Sequence, residues 1–237
     1  MKIGIFGDSF GEEHKKNHTK SWWEYVSYDY QIENFSLGGS DIYYSVSKIK
    51  KLHEKFDKMI WFVTNPSRIK LNNRAVFESE IQQFIVSSLH ADSYLDIYRS
   101  RNDKNLHLLE EMLLSAKSYF KHIVDTEKDD YIASLMIDDI KRLRGDDILT
   151  IPCFPELNLG TMSLAEVYLM ENAVFMVDGK EEHSVLTDDK RNNHLTKENA
   201  EILGNKILNW IRTGTFSMTK SDFLTPDISM RNIYFYE

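Results

Sequence analysis

Short apolar runs alternate with amphipathic segments in the first third of the chain. Residues 2–6 and 58–64 are almost wholly apolar, as buried strands are, and residues 31–37 alternate between apolar and polar. Between them, residues 21–30 and 41–56 carry apolar side chains three or four positions apart, which is typical of helices that bury one face. This order of strands and helices predicts an α/β protein with a parallel sheet covered by helices.

The pattern changes after the third predicted strand. Residues 67–104 give mixed helical signals and no clear strand, so we predict a helical insertion there. The remaining predicted elements are helices at 105–124 and 130–145 (ended by Gly145), a strand at 146–154, a segment at 163–176 that begins helical and turns strand-like, and a helix at 195–211 capped by Thr196. We expect one domain over residues 1–213, and a tail at 214–237 that packs on this domain or on a partner.

Composition narrows the classes of function. The 237 residues suit one large domain, and the formal net charge of −8 gives no electrostatic match to nucleic acid. The single cysteine, Cys153, lies in an apolar stretch and is predicted to be a small buried hydrophobe rather than a reactive thiol. No apolar run approaches the ~18 residues that span a bilayer. No signal-peptide pattern precedes residue 8, so a cytoplasmic location is expected.

Small turn residues follow each of the first three predicted strands. They are residues 7–9 (Gly-Asp-Ser), 38–40 (Gly-Gly-Ser) and 64–66 (Thr-Asn-Pro). In an open parallel sheet, ligands bind beyond the carboxyl ends of the strands, and these turns are expected at that edge. Together they offer a hydroxyl, backbone N–H groups and an amide, which are the nucleophile and the oxyanion donors that acyl transfer requires.

A general base for such a site is supplied best by His194. It stands in a polar loop just before the last predicted helix, and Asp188 and Asp189 precede it by six and five positions. Each of these residues by itself also fits an ordinary turn, cap or surface position. Their placement together, each at a predicted strand end or just before the last predicted helix, favours a functional site.

Four short stretches of the sequence resemble the conserved blocks of the SGNH (GDSL-type) hydrolases. These stretches are GDSF near the N-terminus, NFSLGGSD, VTNP and NNHL. The resemblance implies a three-layer α/β/α, flavodoxin-like fold and hydrolysis of esters. It also implies Ser9 as nucleophile and His194 as general base, with an oxyanion hole formed by the N–H groups of Ser9 and Gly39 and the side-chain amide of Asn65.

Two blocks depart from the usual family pattern. The third block usually reads Gly-x-Asn-Asp, and only Asn65 of that pattern is present here. The last block usually reads Asp-x-x-His, but Arg191 occupies the position of the acid. The stretch DKRNNH instead resembles the Asp-x-Arg-x-x-His spacing of phage and other microbial members. That spacing implies Asp189 as the orienting acid, with Asp188 as second choice; a backbone carbonyl orienting His194 is the remaining option.

The sequence therefore predicts a serine esterase acting on a small-molecule or carbohydrate ester, with an O-acetylated carbohydrate as the first candidate. The mechanism requires no metal or organic cofactor. The main alternative is a non-catalytic SGNH-like module that binds carbohydrate or belongs to a virion, and a phage-encoded chain would then be virion-associated. A nucleotide- or flavin-binding flavodoxin-like protein is disfavoured, because the first loop lacks a phosphate-binding pattern.

Overall fold

Strands and helices alternate through most of the chain. The computed structural model describes residues 1–12, 22–71, 83–85, 87–101, 106–157, 159–171, 174–177, 180–183 and 195–224. The strands of this part are β1 (Lys2–Phe6), β2 (Gln31–Asn34), β3 (Lys58–Val63), β4 (Ile69–Leu71), β5 (Gln83–Ile85), β6 (Ile148–Pro152), β7 (Val174–Val177) and β8 (Lys180–His183). The helices are α1 (Trp22–Ser27), α2 (Ile42–Leu52), α3 (Ser88–Arg101), α4 (Leu106–His122), α5 (Thr126–Arg144), α6 (Leu164–Glu171) and α7 (Lys197–Thr213).

The main sheet is parallel throughout. Its strand order is β2-β1-β3-β6, with Ile3 of β1 opposite Ile32 of β2 and Ile5 of β1 opposite Ile60 of β3. In this order β2 and β3 lie on either side of β1, as in flavodoxin-like sheets. The predicted parallel α/β sheet is confirmed, and the carboxyl ends of its strands lie at one edge.

Both faces of this sheet are covered. In β3, Ile60 and Phe62 join a hydrophobic cluster with residues of α1, α6 and α7, whereas Met59, Trp61 and Val63 join a second cluster with residues of α2 and α5. Successive side chains of a strand point to opposite faces, so the two clusters lie on the two sides of the sheet. The fold is therefore the three-layer α/β/α arrangement that the sequence predicted.

The insertion after β3 contains more than helix. Residues 69–71 and 83–85 pair as an antiparallel hairpin, β4-β5, before α3 begins. The hydrophobic pattern predicted no strand there, because strands of three residues are too short to show a period. Helix α3 packs against α4 around the buried residues Leu95, Leu109 and Leu113, which form a third hydrophobic cluster.

Helix ends follow capping chemistry more closely than the hydrophobic pattern. Helix α5 begins at residue 126, four residues before the predicted start, because Asp125 caps it by accepting a hydrogen bond from the N–H of Lys128. The predicted cap of α7 is confirmed: the Thr196 hydroxyl accepts from the N–H of Asn199 at 3.2 Å. Within the described residues, no helix combines the length and apolar character needed to cross a bilayer.

The segment after α7 packs on the domain. Met218 and Phe223 are buried within the cluster that covers the α7 side of the sheet. The Asn199 side chain donates to the Leu224 carbonyl at 2.9 Å and accepts from the Leu224 N–H at 2.8 Å. The described part of the predicted tail is thus anchored to the core by Met218 and Phe223, and residues 225–237 lie outside the described residues.

Candidate active site

The turn that carries Ser9 follows β1 directly. Gly7 has φ of +143°, and a Cβ at that position would lie 2.5 Å from Cβ of Phe62, so only glycine fits there. The Gly11 N–H donates to the Asp8 carbonyl at 3.1 Å, and the Phe10 N–H donates to the Asp8 carboxylate at 3.1 Å. These bonds close a tight turn in which Ser9 is partly buried at the carboxyl end of the sheet.

The turn that carries Gly39 is joined to the Ser9 turn. Gly39 has φ of +73°, and the Ser40 N–H closes the turn by donating to the Leu37 carbonyl at 3.0 Å. The Gly7 carbonyl accepts from both the Leu37 N–H and the Ser40 hydroxyl, each at 3.0 Å. The two turns that the sequence placed at one edge are therefore in direct contact.

Asn65 lies in the turn that follows β3. Its Oδ1 accepts from the Ser67 N–H at 2.9 Å, and its backbone carbonyl accepts from the Arg68 N–H at 3.4 Å. The side-chain oxygen is thus engaged by the turn itself, which orients the amide group. The Nδ2 hydrogens are the part of this group that could donate to an oxyanion.

The carboxylate of Asp8 joins three strand ends beneath these turns. It is fully buried, accepts from the Thr64 hydroxyl at 2.9 Å and from the Cys153 thiol at 3.4 Å, and forms an ion pair with Arg68 Nη1 at 3.2 Å. Sequence reasoning named Cys153 as a buried hydrophobe and gave Thr64 and Arg68 no role. The predicted burial of Cys153 is confirmed. This burial is the main cause, and the nearby charge of Asp8 the second cause, of a pKa of the Cys153 thiol well above its usual range.

A cleft of about 310 Å³ opens beside Asn65. Its described lining includes the hydroxyls of Ser87 and Thr126, the ring of Phe120 and the carboxylates of Asp130 and Glu156. Desolvation by burial, and then the charge of Asp129, raise the pKa of Asp130. The described wall of the cleft thus combines hydroxyls and two carboxylates with the apolar side chains of Pro66, Phe120 and Val124.

The predicted base and acid cannot be placed against these turns, because Asp188, Asp189 and His194 lie outside the described residues. The next described residue is Leu195, whose side chain packs against the hydrophobic cluster that includes Phe10 and Cys153. The roles of the three residues therefore stay predictions.

A second histidine near this edge had no role in the sequence analysis. Ser87 Oγ lies 3.3 Å from Nδ1 of His90 and also accepts from the His90 N–H at 3.3 Å, which caps the start of α3. Desolvation lowers the pKa of His90, and the charge of Arg68 lowers it further. No sequence signal linked His90 with Arg68, because the two residues lie apart in the sequence and come near each other only in the folded chain.

Among the residues that the structure describes, no group of three or more His, Cys, Asp or Glu side chains is placed to hold a metal ion. The arrangement supplies instead a hydroxyl, backbone N–H groups and an amide on three adjoining turns. Such a set can hold a tetrahedral oxyanion when a base is near the hydroxyl.

The fold and its strand order define a three-layer, flavodoxin-like α/β/α protein. No protein-family model and no curated protein sequence matches the chain. Solved structures that are similar to it at low identity include the following two. A lipolytic protein of the G-D-S-L family from Desulfitobacterium hafniense DCB-2 is 16% identical, with 86% of this chain and 95% of that chain covered and a TM-score of 0.34. The acetyl xylan esterase AlAXEase is 15% identical, with 89% and 100% covered and a TM-score of 0.37.

Proposed function

We propose that this protein is a serine ester hydrolase with Ser9 as its nucleophile. The observation that carries the proposal is the joining of the Ser9 turn to the Gly39 turn through the Gly7 carbonyl. This contact supports an oxyanion hole in which the N–H groups of Ser9 and Gly39 serve the same oxygen. Asn65, at the end of the neighbouring strand, supplies a third donor to it.

The reaction follows from these roles. Ser9 Oγ attacks the ester carbonyl while His194 takes its proton, and the oxyanion accepts hydrogen bonds from the Ser9 and Gly39 N–H groups and from Asn65 Nδ2. His194 then protonates the departing alcohol, and water attacks the acyl-enzyme with His194 again as base. Asp189 orients the imidazole, and Asp188 is the second candidate for that role.

The cleft beside Asn65 offers both polar and apolar contacts to a substrate. Its hydroxyls and carboxylates can form hydrogen bonds with a hydroxylated group, its apolar side chains can pack against a sugar ring or an acyl group, and its carboxylates disfavour anionic esters. An O-acetylated carbohydrate is therefore the first substrate to test.

The proposal is tested with a fluorophosphonate probe and with p-nitrophenyl acetate. We expect covalent labelling at Ser9, together with ester turnover, and both should be lost in Ser9→Ala. The matched control is Ser115→Ala, which removes an exposed hydroxyl of α4 that bonds only the Glu111 carbonyl among its described contacts. Labelling that survives Ser9→Ala would contradict the proposal. A chain that is neither labelled nor active on p-nitrophenyl or carbohydrate acetates would indicate the non-catalytic module.

The oxyanion role of Asn65 has its own test. Asn65→Ala should lower turnover by about 10²–10³-fold, which is typical for the loss of one donor. It should cost only about 1 kcal/mol of stability, because the turn loses one hydrogen bond. Asn209→Ala, which removes an exposed amide bonded to the Thr215 carbonyl, is the control and should keep full turnover. Parallel assays of His194→Ala, Asp188→Ala and Asp189→Ala identify the base and its acid.

A further inference from the structure

One guanidinium group contacts the segments that follow three strands of the main sheet. Arg68 Nη1 lies 3.2 Å from Oδ2 of Asp8, after β1, and donates to the Ser40 carbonyl, after β2, at 3.1 Å. The guanidinium carbon lies 5.1 Å from the ring centroid of Phe154, after β6. The side chain of Arg68 is only 11% exposed. A single side chain thus links the Ser9 turn to the Gly39 turn from below.

This ion pair is costly to bury. Asp8 has no exposed surface, so its charge and that of Arg68 have lost most of their hydration. Replacing such a pair with apolar residues of similar volume often leaves stability equal or higher. Stability alone therefore does not account for a charged pair at this position, whereas fixing the geometry of two turns does.

We propose that Arg68 is a positioning residue that holds the Ser9 and Gly39 turns in register, so that their N–H groups converge on one oxyanion. The inference rests on the proposed ester hydrolysis. Asp8 is the residue before Ser9, and Ser40 is the residue after Gly39, so the two partners of Nη1 flank the two oxyanion donors. A shift of about 1 Å between catalytic groups can cost on the order of 10²-fold in rate.

The effect of removing Arg68 is expected in kcat. Arg68→Met should lower kcat on p-nitrophenyl acetate by about 10²-fold with little change in KM, because the loss concerns the transition state alone. Arg68→Lys keeps a charge that can donate to both partners but loses the guanidinium that lies over the Phe154 ring, so its kcat should lie between that of the unchanged protein and that of Arg68→Met. In Arg68→Ala, added guanidinium well below denaturing concentration should restore part of the lost kcat, which a general loss of stability would not allow.

Arg144 provides a matched control at the opposite edge. It donates to the carbonyls of His53, Phe56 and Asp57 at 3.1, 2.9 and 3.0 Å, just before β3 begins. Arg144→Met should lower the thermal midpoint while leaving kcat unchanged at temperatures where the protein is folded. The same loss of kcat in Arg144→Met would overturn the proposal.

The remaining outcomes separate the two proposals. Folded Arg68→Lys and Arg68→Met that keep kcat within about twofold would overturn the positioning role while leaving Ser9 as nucleophile. A rise in KM at unchanged kcat would also overturn it. If the unchanged protein is neither labelled at Ser9 nor active, the proposed function fails, and the positioning role fails with it.

Discussion

The two ends of the parallel sheet are each fastened by an arginine, but their partners differ. At the amino end, Arg144 donates only to backbone carbonyls among its described hydrogen-bond partners. At the carboxyl end, Arg68 pairs with the fully buried carboxylate of Asp8 and also binds a carbonyl. The first arrangement joins the end of α5 to the loop before β3 through backbone carbonyls, which any sequence would supply. The second requires two specific side chains from distant parts of the sequence.

Buried polar side chains gather at the carboxyl end of the sheet. Asp8, Ser40 and Thr64 are each at most 1% exposed, and all three bond within the turns described above. Folding alone favours apolar residues at such positions, because every buried polar group must find a partner. The difference between the two ends therefore agrees with the proposed placement of the active site at the carboxyl edge.

The sharpest test of this comparison removes one carboxylate from each end. Asp8→Ala leaves the charge of Arg68 largely buried without the carboxylate that pairs with it and should lower the free energy of unfolding by about 3–5 kcal/mol. Asp57→Ala removes an exposed carboxylate that accepts from the Lys2 N–H at 2.7 Å, and should cost about 1 kcal/mol. Urea unfolding measures both values. Equal losses would show that the two ends do not differ in this way.

A second test uses glycines with positive φ. Gly39 lies at the carboxyl end with φ of +73°, and Gly145, with φ of +55°, ends α5 just before β6. Alanine at either position is strained, so each substitution should cost about 1 kcal/mol in urea unfolding. Only Gly39→Ala should also lower ester turnover, because only that N–H is a proposed oxyanion donor. Reduced turnover in Gly145→Ala would remove the distinction.

The smallest expected effect concerns the charge of Arg68. Desolvation and then Arg68 lower the pKa of His90 from its usual 6.5, so the folded chain holds this proton less tightly than the unfolded chain. The contribution of His90 to the free energy of unfolding is therefore fully present at pH values above 6.5 and is lost progressively as the pH drops below 6.5. Arg68→Met should raise the pKa of His90 in an NMR titration, whereas Arg144→Met should not. An unchanged His90 titration in Arg68→Met would show that the guanidinium charge does not act there.

Much of the fold could be predicted from local pattern. The apolar runs of β1 and β3 and the cap at Thr196 are encoded within a few residues, and the structure has them where the sequence placed them. The early start of α5 was missed, because its first turn is polar and only the cap at Asp125 marks it. The β4-β5 hairpin was missed, because its strands are too short for periodicity.

The site divides in the same way. Ser9, Gly39 and Asn65 could be proposed because each follows a strand in a turn whose residue types carry a chemical signal. Arg68 gave no such signal, because its link to Asp8 spans 60 positions and depends on the path of the chain after β3. Long-range pairs of this kind are set by tertiary packing, which a single sequence does not display.

The side-chain amide of Asn199 forms two hydrogen bonds with the backbone of Leu224. The Asn199 side chain behaves as a surrogate peptide group, donating and accepting as a neighbouring strand would. Deamidation at this position would replace the donor with a second carboxylate oxygen, which would then repel the Leu224 carbonyl. Deamidation of Asn199 would thereby weaken the attachment of residues 214–224 and expose the hydrophobic cluster to which Met218 and Phe223 belong.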